Sequence, residues 1–186
     1  MKKILLICAC AAAFLSARAE TVQMTSPDGK GVLTVKDDSG RIEYSIAWGG
    51  KMIIQPSCLG LEIGKPMLDG LKIAGVRALG KHDESWRPVY GERAEIPDRY
   101  NSWEFDVNSG DKKAFTIIVR AYDEGMAFRY RIHGGYFKVT DEFTEYTLPE
   151  GTLAYFTPRA QTEYSVLPLH DWPGDGESDR PLLLKL

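Results

Sequence analysis

At 186 residues the chain is long enough for one domain with a sizeable core, and 44% hydrophobic with 26% charged residues argues against long disorder. Its formal net charge is −3 and its body carries no basic run, so nucleic acid and anionic membrane surfaces are poor partners.

Residues 1–19 have the grammar of a secretory signal: Lys2-Lys3, an apolar run from Ile4 to Leu15, and the small-x-small site Ala17-Arg18-Ala19. The run is too short for a membrane span, which needs roughly 20 residues. Its removal takes Lys2, Lys3 and Arg18 and no acid, which moves the net charge from −3 to −6. Cys8 and Cys10 leave with it. Cys58 is then alone, so no internal disulfide forms, and a buried thiol in an apolar strand is expected. The mature part, 20–186, is expected to be exported: periplasmic, outer-membrane associated or secreted.

After the signal the chain reads as strands and turns. Val22–Thr25, Val32–Lys36 and Ile42–Trp48 are separated by Ser26-Pro27-Asp28-Gly29 and Asp38-Ser39-Gly40. Gly49-Gly50 makes a two-residue hairpin turn into Lys51–Ile54, which Pro56 ends. Cys58–Ile63 and Leu71–Leu79 follow. Residues 80–100 contain two prolines and many charges with no period, and they read as a long loop of the kind that is usually functional.

Strict alternation returns at Trp103–Val107. The clearest run is Ala114–Ile132, where Phe115, Ile117, Val119 and Ala121, then Met126, Phe128, Tyr130 and Ile132, form one apolar face. Asp123-Glu124-Gly125 is the expected turn of this hairpin, with Gly125 supplying the freedom for φ > 0. Short strands follow in Tyr136–Thr147 and Thr152–Thr157. Residues 158–181 read as irregular, and Leu182–Leu186 as a strand without a partner, as if the sandwich continued beyond it. No stretch after the signal has the 3.6-residue apolar period of a helix. The expected fold is an all-β antiparallel sandwich, incomplete at its C-terminal end.

Reactive groups are scattered. His82, His133 and His170 stand at no metal-ligand spacing, there is no G-x-S-x-G and no phosphate-binding glycine loop. Glu92, Glu95, Asp98, Glu142, Glu145 and Glu163 could each serve in a carboxylate pair, yet nothing marks a pair, so no catalytic residue is assigned. Trp48 and Trp103 fall on apolar strand faces and read as core. Trp86 and Trp172 lie in the two long irregular stretches and are the candidate sugar-stacking residues.

SPDGKGVLTV, SCLGLEI, WRPVYGERAEIPDRYN, RAYDEGMAFRYRI, DEFTEYTLPEG and YFTPRAQTEYSVLPL occur in that order. In this combination the chain, from about Val22 to its last residue, resembles the N-terminal domain of glycoside hydrolase family 97, common in gut Bacteroidetes. The resemblance implies a galactose-mutarotase-like β-super-sandwich that precedes a (β/α)₈ catalytic barrel and a C-terminal β domain. It implies an exo-acting α-glucosidase or α-galactosidase as the parent, with oligosaccharide as substrate and the catalytic carboxylates in the barrel. It also implies calcium near the active site, with Glu163 in AQTEY as one ligand and the others in the barrel. Two other readings stay open. A free-standing carbohydrate-binding module would bind oligosaccharide through Trp86 or Trp172. A small sugar-epimerising sandwich enzyme would need a convergent acid and base, which the scattered histidines do not supply.

Overall fold

The computed structural model describes residues 21–64, 66–67, 69–172, 177–179 and 181–186, so the expected signal at 1–19 lies outside the described residues. Strands β1 (Thr21–Thr25), β2 (Gly31–Asp38), β3 (Arg41–Trp48) and β4 (Lys51–Leu59) form one antiparallel sheet in chain order. Gly49 and Gly50, at φ 56° and 82°, close the β3–β4 hairpin as the sequence indicates, because both central positions of that turn are left-handed. Pro56 does not end β4. The register shifts between the Tyr44–Ser57 and Ile46–Ile54 pairs, so Gln55 and Pro56 sit in a bulge on an edge strand, where a missing N–H costs nothing.

Three short strands follow: β5 (Leu61–Ile63), β6 (Pro66–Met67) and, much later, β11 (Val139–Glu142), which make a small sheet in the order β11-β5-β6. The second large sheet has the order β10-β9-β8-β7, from β7 (Leu71–Trp86), β8 (Ile96–Ser109), β9 (Lys112–Tyr122) and β10 (Gly125–Arg131). Thus most of residues 80–100 is strand, not loop. β7 and β8 pair continuously from Leu71–Ser109 out to Trp86–Ile96, leaving only residues 87–95 as the connection. Apart from Tyr100, the side chains of this outer ladder within residues 80–100 are exposed or half-buried on both faces, so it lacks the apolar alternation that marks a strand in sequence.

Between the two large sheets lies the core. Met24, Leu33, Val35, Ile42 and Tyr44 meet Leu71, Phe105, Val107, Phe115, Ile117 and Val119, all almost fully buried. Tyr44 keeps its hydroxyl satisfied by donating to the Glu145 carbonyl at 2.7 Å. Gly31 is buried because a Cβ there would stand 2.6 Å from Met126 Cε and 2.7 Å from the Trp48 ring. Cys58 is the expected buried free thiol, in β4. The β9–β10 hairpin is present, but Gly125 pairs with Tyr122 and is not among the positive-φ glycines. Asp123-Glu124 alone is therefore the turn. The alternation on β9 is also incomplete: Thr116 and Ile118 point away from the core yet are buried.

The last sheet, β13-β12-β14, is made of β12 (Leu153–Phe156), β13 (Ser165–Pro168) and β14 (Leu183–Lys185). β13 lies inside the stretch expected to be irregular, and the leucine strand near the C-terminus has a partner after all, pairing with β12 from Leu153–Lys185 to Tyr155–Leu183. The one helical element among the described residues is a 3₁₀ turn, Leu169–Asp171, and no described helix is long and apolar enough to cross a membrane. On the flank where β4 and β10 are edge strands, the two large sheets part around an apolar cleft of about 650 Å³, bordered by Tyr44, Ile54, Phe128 and Tyr130.

Candidate functional site

Glu163 sits immediately before β13, after a turn that is fixed by threonines. The buried Thr157 hydroxyl donates to the Arg159 carbonyl at 2.7 Å and lies 2.6 Å from the Thr162 hydroxyl. Thr162 in turn donates its hydroxyl to that of Thr157 and its backbone N–H to the Arg159 carbonyl at 3.1 Å. The backbone N–H of Asp179 closes on the Thr157 carbonyl at 2.7 Å. These bonds hold the loop in one shape and deliver Glu163 to the surface. Its side chain is exposed, and its carboxylate has no ion-pair or hydrogen-bond partner among the described residues. The threonine lock has no sequence signature, because it depends on how the six residues 157–162 curl rather than on their spacing.

The sheet that Glu163 precedes carries an apolar row. Val166, Tyr155 and Leu183 are directly paired across β13-β12-β14 and so share one face. Val166 is 53% exposed and Leu183 58% exposed, and Tyr164 adjoins them at 60%. A row of large apolar side chains left open to water on a small sheet marks a contact surface.

Trp172 follows the 3₁₀ turn. It is half-buried and packs on Phe156, with ring centroids 4.5 Å apart. Trp86 is elsewhere: it ends β7 on the other large sheet and is 52% exposed. The two tryptophans therefore lie in different parts of the fold, Trp86 at the end of β7 and Trp172 against Phe156 of β12. Trp48 and Trp103 are half-buried, and Trp103 packs against the core cluster.

The histidines are held by neighbours. His82 stacks on Tyr100 and lies 3.2 Å from Asp98; His133 Nε2 is 2.7 Å from the Thr116 hydroxyl. Thr116 already donates to Asp106 at 2.7 Å, so His133 Nε2 is the donor to Thr116. Among the described residues no three His, Cys, Asp or Glu side chains are grouped to hold a metal ion. A hard cation takes 6–8 oxygens, so Glu163 fits calcium as one carboxylate donor within a shared set, and not as a site by itself.

Two antiparallel sheets around an aliphatic and aromatic core, with a third small sheet that Glu163 precedes and that leaves an apolar row open to water, define an antiparallel β-sandwich domain. The chain belongs to the glycosyl-hydrolase 97 N-terminal family, whose model matches residues 24–186. It is 28% identical over 160 residues to a retaining alpha-galactosidase of Bacteroides thetaiotaomicron, covering 83% of this chain and 23% of that protein. A probable retaining alpha-galactosidase of Streptomyces bingchenggensis is 27% identical over 118 residues, covering 63% of this chain and 18% of that relative. A solved glycoside hydrolase family 97 enzyme from a Pseudoalteromonas species, in complex with panose, superposes with a TM-score of 0.74 at 25% identity. That match covers 81% of this chain and 25% of the solved one. The chain thus spans about a quarter or less of the length of these relatives.

Proposed function

We propose that the chain is the non-catalytic N-terminal domain of an exported, exo-acting α-glycosidase, an α-glucosidase or α-galactosidase. It packs on the parent's catalytic barrel and forms one wall of the oligosaccharide site. There it lends Glu163 to a calcium ion whose other ligands come from the barrel. The observation that carries this reading is the pairing of two features on one small sheet. An exposed carboxylate with no partner among the described residues directly precedes a strand of that sheet, on which Val166, Tyr155 and Leu183 form an apolar row open to water. The cation would order substrate and active-site groups. The periplasm, or another compartment outside the inner membrane, is the proposed location.

The test is Glu163→Ala in a full-length parent. Activity should fall at least about tenfold and its sensitivity to chelators should disappear. Unchanged activity with unchanged chelator sensitivity would overturn the metal role. Trp172 is proposed to face the same pocket wall. The rival free-standing module would bind sugar through Trp86 or Trp172 without any barrel.

A further inference from the structure

A separate cleft opens where the outer part of β8 meets the β9–β10 turn, beside the β1–β2 turn. Its volume is about 520 Å³, and Pro97, Arg99, Asp123, Glu124, Met126 and Ala127 line it. That size is within the range of small-molecule sites and admits a di- or trisaccharide.

Asp123 and Arg99 are the fixed polar groups of this cleft. Asp123 Oδ1 accepts the backbone N–H of Asp28 at 2.7 Å, which pins the turn to a different hairpin. Asp123 Oδ2 faces Arg99 Nε at 3.2 Å, close enough for charge attraction but without hydrogen-bond alignment, so that buried Nε–H is unsatisfied. The terminal N–H groups of Arg99 have no acceptor among the described residues. At the rim, Arg93 donates to Glu124 at 3.3 Å. The charges therefore balance in two Arg–carboxylate pairs around the apolar surfaces of Pro97 and Met126. Balanced pairs give an anionic ligand no net attraction. Fixed carboxylates and guanidinium donors do match vicinal hydroxyls, and the apolar surfaces match a pyranose C–H face.

We infer that this cleft is an oligosaccharide-holding subsite for a neutral sugar, distinct from the wall that carries Glu163. The inference rests on the reading of the chain as a glycosidase domain and adds a second place where that domain meets substrate. Trp86 has no part in it. Trp86 and Tyr100 share one face of the β7–β8 ladder, and Pro97 and Arg99 lie on the opposite one.

The full chain is titrated with maltotriose by calorimetry and by ligand-observed NMR. A dissociation constant of about 1 mM is expected. Arg99→Leu should weaken binding at least about tenfold and Glu124→Gln about threefold, whereas Trp86→Ala should leave it unchanged. Glu124 is 71% exposed, so its variant keeps the fold and the test stands even if Arg99→Leu does not fold. Glucose 6-phosphate should bind no tighter than glucose. Three results would overturn the subsite: no saturation by about 20 mM maltotriose, binding indifferent to both Arg99→Leu and Glu124→Gln, or a preference for the phosphate ester. Activity and chelator sensitivity that survive Glu163→Ala in the parent, with maltotriose binding intact, would count against the Glu163 role alone, and the reverse pattern against the cleft alone.

Discussion

Glu104 is the most constrained charge in the domain. Its side chain is 8% exposed on the outer face of β8, where Arg77 and Arg131 both donate to it. The Arg131 hydrogen bond is the main cause that holds its carboxyl below the usual glutamate range, with burial acting in the opposite direction. A depressed folded-state pKa means that in acid the unfolded chain binds the proton more readily. The stabilisation is therefore present above the unfolded value of about 4.3 and is lost as pH falls through the folded one. Both arginines are partly exposed, so Glu104→Gln should cost about 1–2 kcal/mol at pH 7, less than a fully buried pair would. Urea unfolding at pH 7 and pH 3 should show the variant's deficit shrinking in acid. Gly31→Ala should cost about 1–3 kcal/mol by overpacking against Met126 and Trp48, measurable as a lower urea midpoint with an unchanged slope. At this scale Glu163 was legible only through the motif around it. The threonines that position it, and Arg99 opposite Asp123, were not, because each contact joins residues whose side chains meet only after the backbone has turned.

Strands were legible wherever one face is dry. Ile42, Tyr44 and Ile46, or Phe115, Ile117 and Val119, announce themselves because the pleat puts alternate residues in the core. The outer β7–β8 ladder was not legible for the same reason inverted. It is held by backbone pairing and by surface contacts across the strands such as His82–Asp98 at 3.2 Å, while Lys81 and Asp83 stand on the other face, so charges occur on both faces and the period vanishes. Surface pairs contribute little, about 0–1 kcal/mol each, so this arm opens more readily than the core. Hydrogen exchange should show the amides of Lys81–Trp86 exchanging at least about a hundredfold faster than those of Phe115–Val119. Equal protection in the two segments would mean that the arm is packed against something on at least one face. Pro56 shows the companion lesson: a proline in an apolar run reads as a stop, but an edge strand can absorb it in a bulge.

For the whole molecule, the proposal divides the surface into a part that meets water and a part that meets the parent's barrel. Val166→Asp and Leu183→Lys test that division. Both side chains are more than half exposed in this chain, so each change should shift its thermal midpoint by no more than about 2 °C. In a full-length parent the same changes should cost about 1–3 kcal/mol, read as earlier separation of the two domains on heating. The most direct measurement is hydrolysis of nitrophenyl α-glucoside and α-galactoside by the purified chain beside a full-length parent. The account expects release at the buffer rate from the chain alone and catalysed release from the parent. Turnover by the chain by itself would contradict it.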